Sequence, residues 1–403
     1  MPTVQDAIQI TVSMDTSAPP LPEWGVAAII GEKSILCSKT GDDPAVYSFG
    51  GSHDGSDPLR VLPTTNLNTY FGSPDSSGTP GTDGAVVGSK ITKSLQSLFA
   101  QGVNTAYAIP VISAVPGKPT ATEFETAINK LTSLALDKNI SGCVCAMIPA
   151  NYSVDGVTGI DILKKLKTFC DNAAHQLLFT FTNEPDANTY KLPGATKEAF
   201  YKTTSPLGYV NELGSRNGLF CVNADDAVTD DIAAVAIGSL FVQKPWSTLM
   251  WKNTFSDTNQ ILLSEKVYEL ENDCKANTII EVAGAKCMSN GLTTLGDPYK
   301  FIDITRTQYY VVHQLKSNLT ILRKNTAKIP YTQSGISLVG SYIMSALDRC
   351  VQDGALAEYT LTMPSFSQCT VQERAARTLN NIGITCRIAG DIHEFNVNLS
   401  ITV

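Results

Sequence analysis

Apolar and polar residues alternate over residues 4–14: Ile8, Ile10, Val12 and Met14 fall on one face, and Gln5, Gln9, Thr11 and Ser13 on the other. That is the pattern of a half-buried β-strand. Ala18-Pro19-Pro20-Leu21-Pro22 follows. Its fixed φ angles and missing N–H groups exclude helix and central strand, so residues 1–22 read as a strand arm on a stiff spacer. The other end of the chain repeats the theme, with Phe395, Val397, Leu399, Ile401 and Val403 alternating against Asn396, Asn398, Ser400 and Thr402. Residues 393–403 therefore read as a second strand arm, roughly 30 Å long.

Between the arms the rhythm changes twice. Residues 23–88 start with an apolar strand over 26–30, ending at Gly31, and continue as a stretch dense in Gly, Pro, Ser, Asp and Thr over 41–84. Such punctuation permits loops and short strands only. Over 89–256 helical patterns at 90–101, 122–136, 159–173 and 197–216 lead into apolar strands at 105–111, 142–148, 177–181 and 219–222. This alternation predicts an α/β domain with a largely parallel sheet. Thr120 and Glu123 have the spacing of a capping box and fix one helix start.

Residues 257–392 read as an α+β domain. Ile336, Val339, Ile343, Leu347 and Cys350 make one apolar stripe along a helix over 334–353, with Gly354 as its left-handed stop. Tyr359, Leu361 and Met363 alternate as a strand. A second capping box, Thr370 with Glu373, opens a short helix expected to close at Gly383, and Ile384, Cys386 and Ile388 precede a turn at Gly390-Asp391. The fold class is thus α/β plus α+β in several domains, with extended strands at both ends.

Composition narrows the function classes. A chain of 403 residues with 43% hydrophobic and 17% charged residues has the balance of a globular protein. A net charge of -8 argues against non-specific binding to nucleic acid or to an anionic membrane surface. The first residues lack a basic region followed by an apolar one, so the expectation is no secretory signal and a start in the cytosol. The richest apolar run, 232–242, is interrupted by Gly238 and Ser239 and is too short to span a bilayer. Ten scattered cysteines read as reduced, buried small hydrophobes.

Charge is unevenly placed. Asp6, Asp15 and Glu23 precede the first basic residue, Lys33, and only Asp391 and Glu394 carry charge after Arg387. Both arms are acidic, whereas residues 300–387 are basic. Arg306, Lys316, Arg323, Lys324, Arg374 and Arg377 form the candidate contact surface there. Each arm has two outcomes open to it: folding back on its own sheet, or adding a strand to a neighbouring subunit. The proline spacer favours the second.

No residue pattern assigns catalysis, a cofactor or a metal. His53, His175, His313 and His393 are far apart, and Cys143 and Cys145 share one strand face as core cysteines. Gly156-Val157-Thr158-Gly159 lacks the Lys-Ser/Thr of a phosphate loop, and no serine sits in a nucleophile elbow. Glu184-Pro185-Asp186 follows a strand end, where open α/β sheets bind ligands, and reads as loop solvation. Trp246, Trp251, Tyr309 and Tyr310 read as core or interface anchors.

In the order of its elements the chain resembles the contractile tail sheath family. The residues that carry the likeness are Leu263-Ser264-Glu265 to Cys274 followed by Thr278-Ile279-Ile280, and Phe301-Ile302-Asp303-Ile304-Thr305-Arg306, which is similar to a strand whose terminal Arg starts a helix. The helix closing at Gly354-Ala355-Leu356, the strand at 359–363 and the last alternating strand follow the same pattern, and Trp24-Gly25-Val26-Ala27-Ala28-Ile29-Ile30-Gly31 resembles the start of divergent sheath-like phage proteins. The chain departs from the family in a reduced outer insertion and in lacking the opening Pro-Gly-Val-Tyr. The resemblance implies a virion or injection-system tail subunit, not an enzyme and without cofactors, assembled in the host cytoplasm. It implies homo-oligomeric hexameric rings stacked helically around an inner tail tube protein, with baseplate and tail terminator proteins as further partners. It implies no nucleic acid and no membrane insertion. Terminal strands exchanged between copies (Ile8, Ile10, Val12 and Met14; Phe395, Val397, Leu399 and Ile401) would link the rings. The rivals are an α/β enzyme with a C-terminal oligomerisation domain, and another virion component.

Overall fold

The computed structural model describes residues 25–38, 46–53, 57–78, 83–112, 120–138, 140–146, 153–154, 157–172, 177–183, 213–222, 231–252 and 264–393. The first arm, residues 394–403 of the second, the loop at 184–186, His175 and residues 197–212 of an expected helix lie outside these. The described residues up to Thr305 form one compact unit, and those from Arg306 onward a second.

In chain order the first unit runs β1 (Ala27–Glu32), β2 (Ile35–Ser38), β3 (Val46–Phe49), β4 (Leu59–Val61), α1 (Leu67–Phe71), β5 (Val86–Val87), α2 (Lys90–Ala100) and β6 (Ala106–Val111). Next come α3 (Ala121–Lys138), β7 (Gly142–Cys145), β8 (Ser153–Val154), β9 (Val157–Thr158), α4 (Gly159–Asp171), β10 (Leu178–Asn183), β11 (Gly218–Val222) and α5 (Ile232–Val242). It closes with α6 (Ser264–Cys274), β12 (Ala276–Asn277), β13 (Ile279–Val282), β14 (Ala285–Met288), β15 (Leu292–Gly296), β16 (Tyr299–Phe301) and the start of α7 (Ile302–Asn325).

Strands β6, β1, β7, β10 and β11 lie side by side and parallel. Numbered by sequence within this set the order is 2-1-3-4-5, a doubly wound arrangement. The antiparallel β4 extends the sheet beyond β6, and β15 and β16 extend it beyond β11. The central strands read as continuous apolar runs because both faces are covered. On one face Phe124, Leu131, Ile162, Leu166 and Leu270 of α3, α4 and α6 pack on Ile30, Val111, Cys143, Phe179, Phe181 and Phe220. Phe181 stacks between Phe179 and Phe220, with centroids 6.0 and 5.0 Å away.

Helices α2 and α5 lie together and against the central strands. A Cβ on Gly142 would come within 2.7 Å of the Phe241 ring and 3.2 Å of Ile237, so β7 and α5 meet closely enough that any side chain there would have to push the Phe241 ring aside. Asp231 caps α5, its Oδ1 accepting from the N–H groups of Ala233 and Ala234 at 3.0 and 3.4 Å, while Ser94 of α2 donates to its other oxygen.

The polar strand β15 is stitched in by side chains. Asn277 donates to the carbonyls of Phe220 and Leu292 and accepts from the Leu292 N–H, and Thr294 exchanges hydrogen bonds with the Ser215 backbone. The likeness of residues 301–306 to a strand is corrected here: β16 ends at Phe301 and α7 opens at Ile302, whose N–H donates to Gly291 O at 2.9 Å. Asp303 sits in the first turn, where the helix dipole favours an acid.

The second unit comprises the remainder of α7, then α8 (Gln333–Gln352), β17 (Leu356–Thr362), a 3-10 turn at Phe366–Gln368, α9 (Val371–Ala376) and β18 (Gly383–Ile388). Ile336, Ile343, Leu347 and Cys350 of α8 are buried, and Val339 is half-buried. Gly354 takes φ 81° and lets the Ala355 N–H reach back to Cys350 O at 2.9 Å. Two hydrogen bonds hold α7 beside α8: Tyr310 Oη donates to Asp353 Oδ2 at 2.6 Å, and Asn318 Nδ2 to Tyr342 O at 3.3 Å. Helix α9 closes at Arg377, in a left-handed conformation with φ 57°, and not at Gly383. The Thr378 N–H bonded to Glu373 O ends it there.

Candidate assembly interface

Strands β17 and β18 form a two-stranded antiparallel sheet with Tyr359 opposite Cys386 and Leu361 opposite Ile384. Those four side chains and Ile388 are half-buried, while Glu358, Thr360, Thr362, Thr385 and Arg387 are exposed. The sheet is therefore amphipathic. Its inner side is fastened to α8, where Tyr359 Oη donates to Asp348 Oδ1 at 2.6 Å and a Cβ on Gly340 would lie 3.2 Å from Met363. The carboxylate keeps the phenol protonated, pushing the Tyr359 pKa up to about 12. On the outer side Arg387 and Glu358 pair at 3.3 Å, both largely exposed. Among the described residues each strand pairs with the other alone, and a sheet of two strands is marginal by itself.

The segment joining these strands is tightly built. Ser365 and Gln368 form one capping box, Thr370 and Glu373 a second. Asn380 Nδ2 adds a bond to Glu373 Oε1 at 2.9 Å. The Glu373 carboxyl is held below its usual range first by the Thr370 N–H, then by Asn380 and the Thr370 hydroxyl. Arg374 lies over the Phe366 ring at 5.0 Å, Tyr331 packs edge-on to the same ring, and its hydroxyl donates to Thr378 O at 2.9 Å. Phe366 N–H donates to Gln333 Oε1 at 2.8 Å, tying the segment to the start of α8.

The six basic residues chosen from the sequence separate into two sets. Arg306 and Lys316 are buried at 2% and 8% exposure, which corrects their reading as surface. Arg323 and Lys324 are exposed in the last turn of α7, where cations complement the helix C-terminus. Arg374 is half-buried over Phe366, and Arg377 is exposed. Burial lowers the Lys316 pKa to about 8, and burial together with the Lys316 charge lowers that of His313. Residues 8, 10, 12, 14, 395, 397, 399 and 401 lie outside the described residues. The edges of the β17–β18 pair and the capped segment between them were not singled out in the sequence. The second capping box was the available signal.

The other candidate chemistry resolves into structure. At the end of β1, Lys33 donates to His53 O, Ser34 N–H to Phe71 O, and Gly50 N–H to Ser34 O, so residues 50–53 and 70–72 cover the strand's exit. Cys143 Sγ lies 3.9 Å from Cys170 Sγ in the core, and burial pushes the Cys145 and Cys170 thiols far above their usual range. Tyr309 and Tyr310 are buried, Lys244 lies over the Trp246 ring at 5.3 Å, and Trp251 is 50% exposed. Among the described residues no group of three His, Cys, Asp or Glu side chains is placed to hold a metal, and no helix is long and apolar enough to cross a membrane.

No family model matches the chain, and no curated protein matches it. Solved structures do. A chain of the anti-feeding prophage baseplate superposes with a TM-score of 0.61 at 13% identity, over 98% of both chains. A chain of the contracted PVC sheath complex, an extracellular contractile injection system, superposes with a TM-score of 0.55 at 13% identity, over 98% of this chain and 96% of that one. Over nearly its whole length the chain shares the fold of these two chains, one from an anti-feeding prophage baseplate and one from a contractile sheath complex.

Proposed function

We propose that this chain is a structural sheath subunit that stacks as hexameric rings around an inner tube, with each copy's terminal strands completing a sheet in its neighbours. The observation that carries the reading is the amphipathic β17–β18 pair, joined among the described residues to no further strand. The sequence supplies two strands of matching character. The uncharged outer residues Asn396, Asn398, Ser400 and Thr402 suit a face that displays Thr360, Thr362 and Thr385, and Phe395, Val397, Leu399 and Ile401 suit the half-buried side. Backbone hydrogen bonds contribute about 0.5–1.5 kcal/mol each, so a strand added along β18 contributes a few kcal/mol per subunit before the cost of ordering the arm.

Contraction then needs no nucleotide. An extended lattice that is metastable, and a contracted one that buries more complementary surface, suffice to drive a tube forward. Arg323, Lys324, Arg374 and Arg377 would meet acidic surface on the inner tube or a neighbouring copy, and baseplate and terminator proteins would close the two ends of the stack. The particle is a phage tail or a related injection machine, assembled in the host cytoplasm.

Deleting residues 1–17 or 394–403 is expected to leave a folded monomer that forms no cylinders in negative-stain micrographs, whereas the full chain forms long striated ones. Contractile cylinders from either truncation refute the role given to the arms. Uniform small particles from the full chain favour the enzyme reading.

A further inference from the structure

Asparagine precedes glycine twice in this chain, at Asn217-Gly218 and Asn290-Gly291, and each pair runs on into leucine. Such a dipeptide can modify itself, because the glycine nitrogen is not shielded by a side chain and can attack the asparagine side-chain carbonyl. In a folded chain the outcome depends on where that nitrogen and the amide are held.

The two sites are held differently. The Asn290 side chain is folded back on its own backbone, with the Gly291 N–H donating to Asn290 Oδ1 at 3.0 Å. The carbon to be attacked, Cγ, is one bond from that oxygen, so nitrogen and carbon stand close to attack distance, and a turn about Cβ–Cγ presents the carbonyl face. Among the described residues no other hydrogen bond holds the Asn290 side chain, and the residue is half-buried, which leaves water a way in and the amide nitrogen a way out. Gly291 is fixed from outside. Its carbonyl accepts from the Ile302 N–H at 2.9 Å, at the start of α7, and a Cβ on it would lie 3.0 Å from Leu249 Cβ. At Asn217, which is 1% exposed, the amide nitrogen donates to Asp171 Oδ1 at 2.9 Å and to Cys170 O at 3.4 Å, and the Gly218 N–H is directed to Ser215 O.

The geometry points to Asn290 as a site of spontaneous deamidation, a modification that the fold promotes there and suppresses at Asn217. The Gly291 nitrogen loses its proton to hydroxide and bonds to Asn290 Cγ. The Cγ–Nδ2 bond breaks, and Nδ2 leaves as ammonia with a proton taken from water. The five-membered imide so formed adds one water, opening at the former side-chain carbonyl to aspartate or at the main-chain carbonyl to isoaspartate. No oxidant or cofactor enters. Either product puts a carboxylate where a neutral amide stood. The iso form also adds a methylene to the main chain, between the Ser289 N–H bonded to Thr278 O and the Leu292 N–H bonded to Asn277 Oδ1. The step is independent of the assembly proposed above.

The test incubates the full chain in heavy-oxygen water (H₂¹⁸O), natively and in urea, at neutral and mildly alkaline pH. Digestion with an acid protease in ordinary water and mass spectrometry follow, so that a heavy oxygen marks each site opened before digestion. In the native chain Asn290 should take up the label about tenfold or more faster than Asn217, faster at the higher pH, and partly as isoaspartate, which only the ring route makes. A smaller native ratio overturns the proposal. In urea the two sites share their next two residues and no fold, so their rates should come close together; a ratio that urea leaves unchanged would mean that sequence alone sets it, and refutes the role of the fold. Asn290 should also react at least as fast natively as in urea, and slower native reaction refutes promotion. Label found only as ordinary aspartate rules out the ring closure.

Discussion

Replacing Asp231 by alanine isolates the contact that holds α2 and α5 together. Two losses are involved. The N–H groups of Ala233 and Ala234 lose their acceptor at the buried start of α5, and the Ser94 hydroxyl on α2 loses the oxygen it donates to. A lost N-cap costs typically ~1 kcal/mol and up to ~2. An orphaned buried hydroxyl adds about 1–3 kcal/mol, so the sum is roughly 3 kcal/mol. The Asp231 N–H, 2.8 Å from Ser97 Oγ, keeps its own bond, which limits the damage to the side chain. Urea unfolding followed by circular dichroism should show a lowered midpoint with an unchanged slope. Asp231→Asn, which still caps, should fall by no more than about half as much. An alanine variant within about 0.5 kcal/mol of the parent would mean that the buried junction between the two helices is stabilised by packing alone.

Two further outcomes follow from the second unit. The Tyr359 hydroxyl titrates at about 12 in the folded chain against ~10 unfolded, so the folded state holds more protons between these values. Its contribution is complete below pH ~10 and is lost as the pH rises through about 12; Tyr359→Phe should flatten that stretch of a stability-versus-pH curve, and an unaltered slope would show that the Asp348 bond is not the cause. Leu347 is fully buried on α8, and Leu347→Ala should cost ~2–5 kcal/mol in a chemical melt. A loss below about 1 kcal/mol would indicate that its neighbours collapse into the space.

Legibility in the sequence followed the physics of each element. Helix starts with complete capping boxes, Thr120 with Glu123 and Thr370 with Glu373, stand where the pattern put them, because the signal is a local hydrogen bond that tertiary structure does not override. Helix α5 gave only an apolar run. Its buried residues go all the way round, so no periodicity was left to read. Leu292-Thr293-Thr294-Leu295-Gly296 looks like surface, yet Thr293 and Thr294 are buried because Tyr299 O and the Ser215 backbone satisfy their hydroxyls.

The same blindness affected the candidate interface. Charge on Arg306 and Lys316 read as exposure, and nothing local revealed that a helix would be covered at those positions. The end of α9 misled for a related reason. A non-glycine residue, Arg377, took the left-handed position, while Gly383 was used to open β18.

The capped segment between β17 and β18 draws its order from bonds among its own residues and from two anchors on Tyr331 and Gln333. Its shape is thus set by the chain's own bonds, with no partner present. Docking such a surface forfeits little chain freedom, and undocking returns little. For the contracting lattice proposed above, a stud of this kind would let go and re-seat as a rigid piece, with no cycle of melting and refreezing at every step.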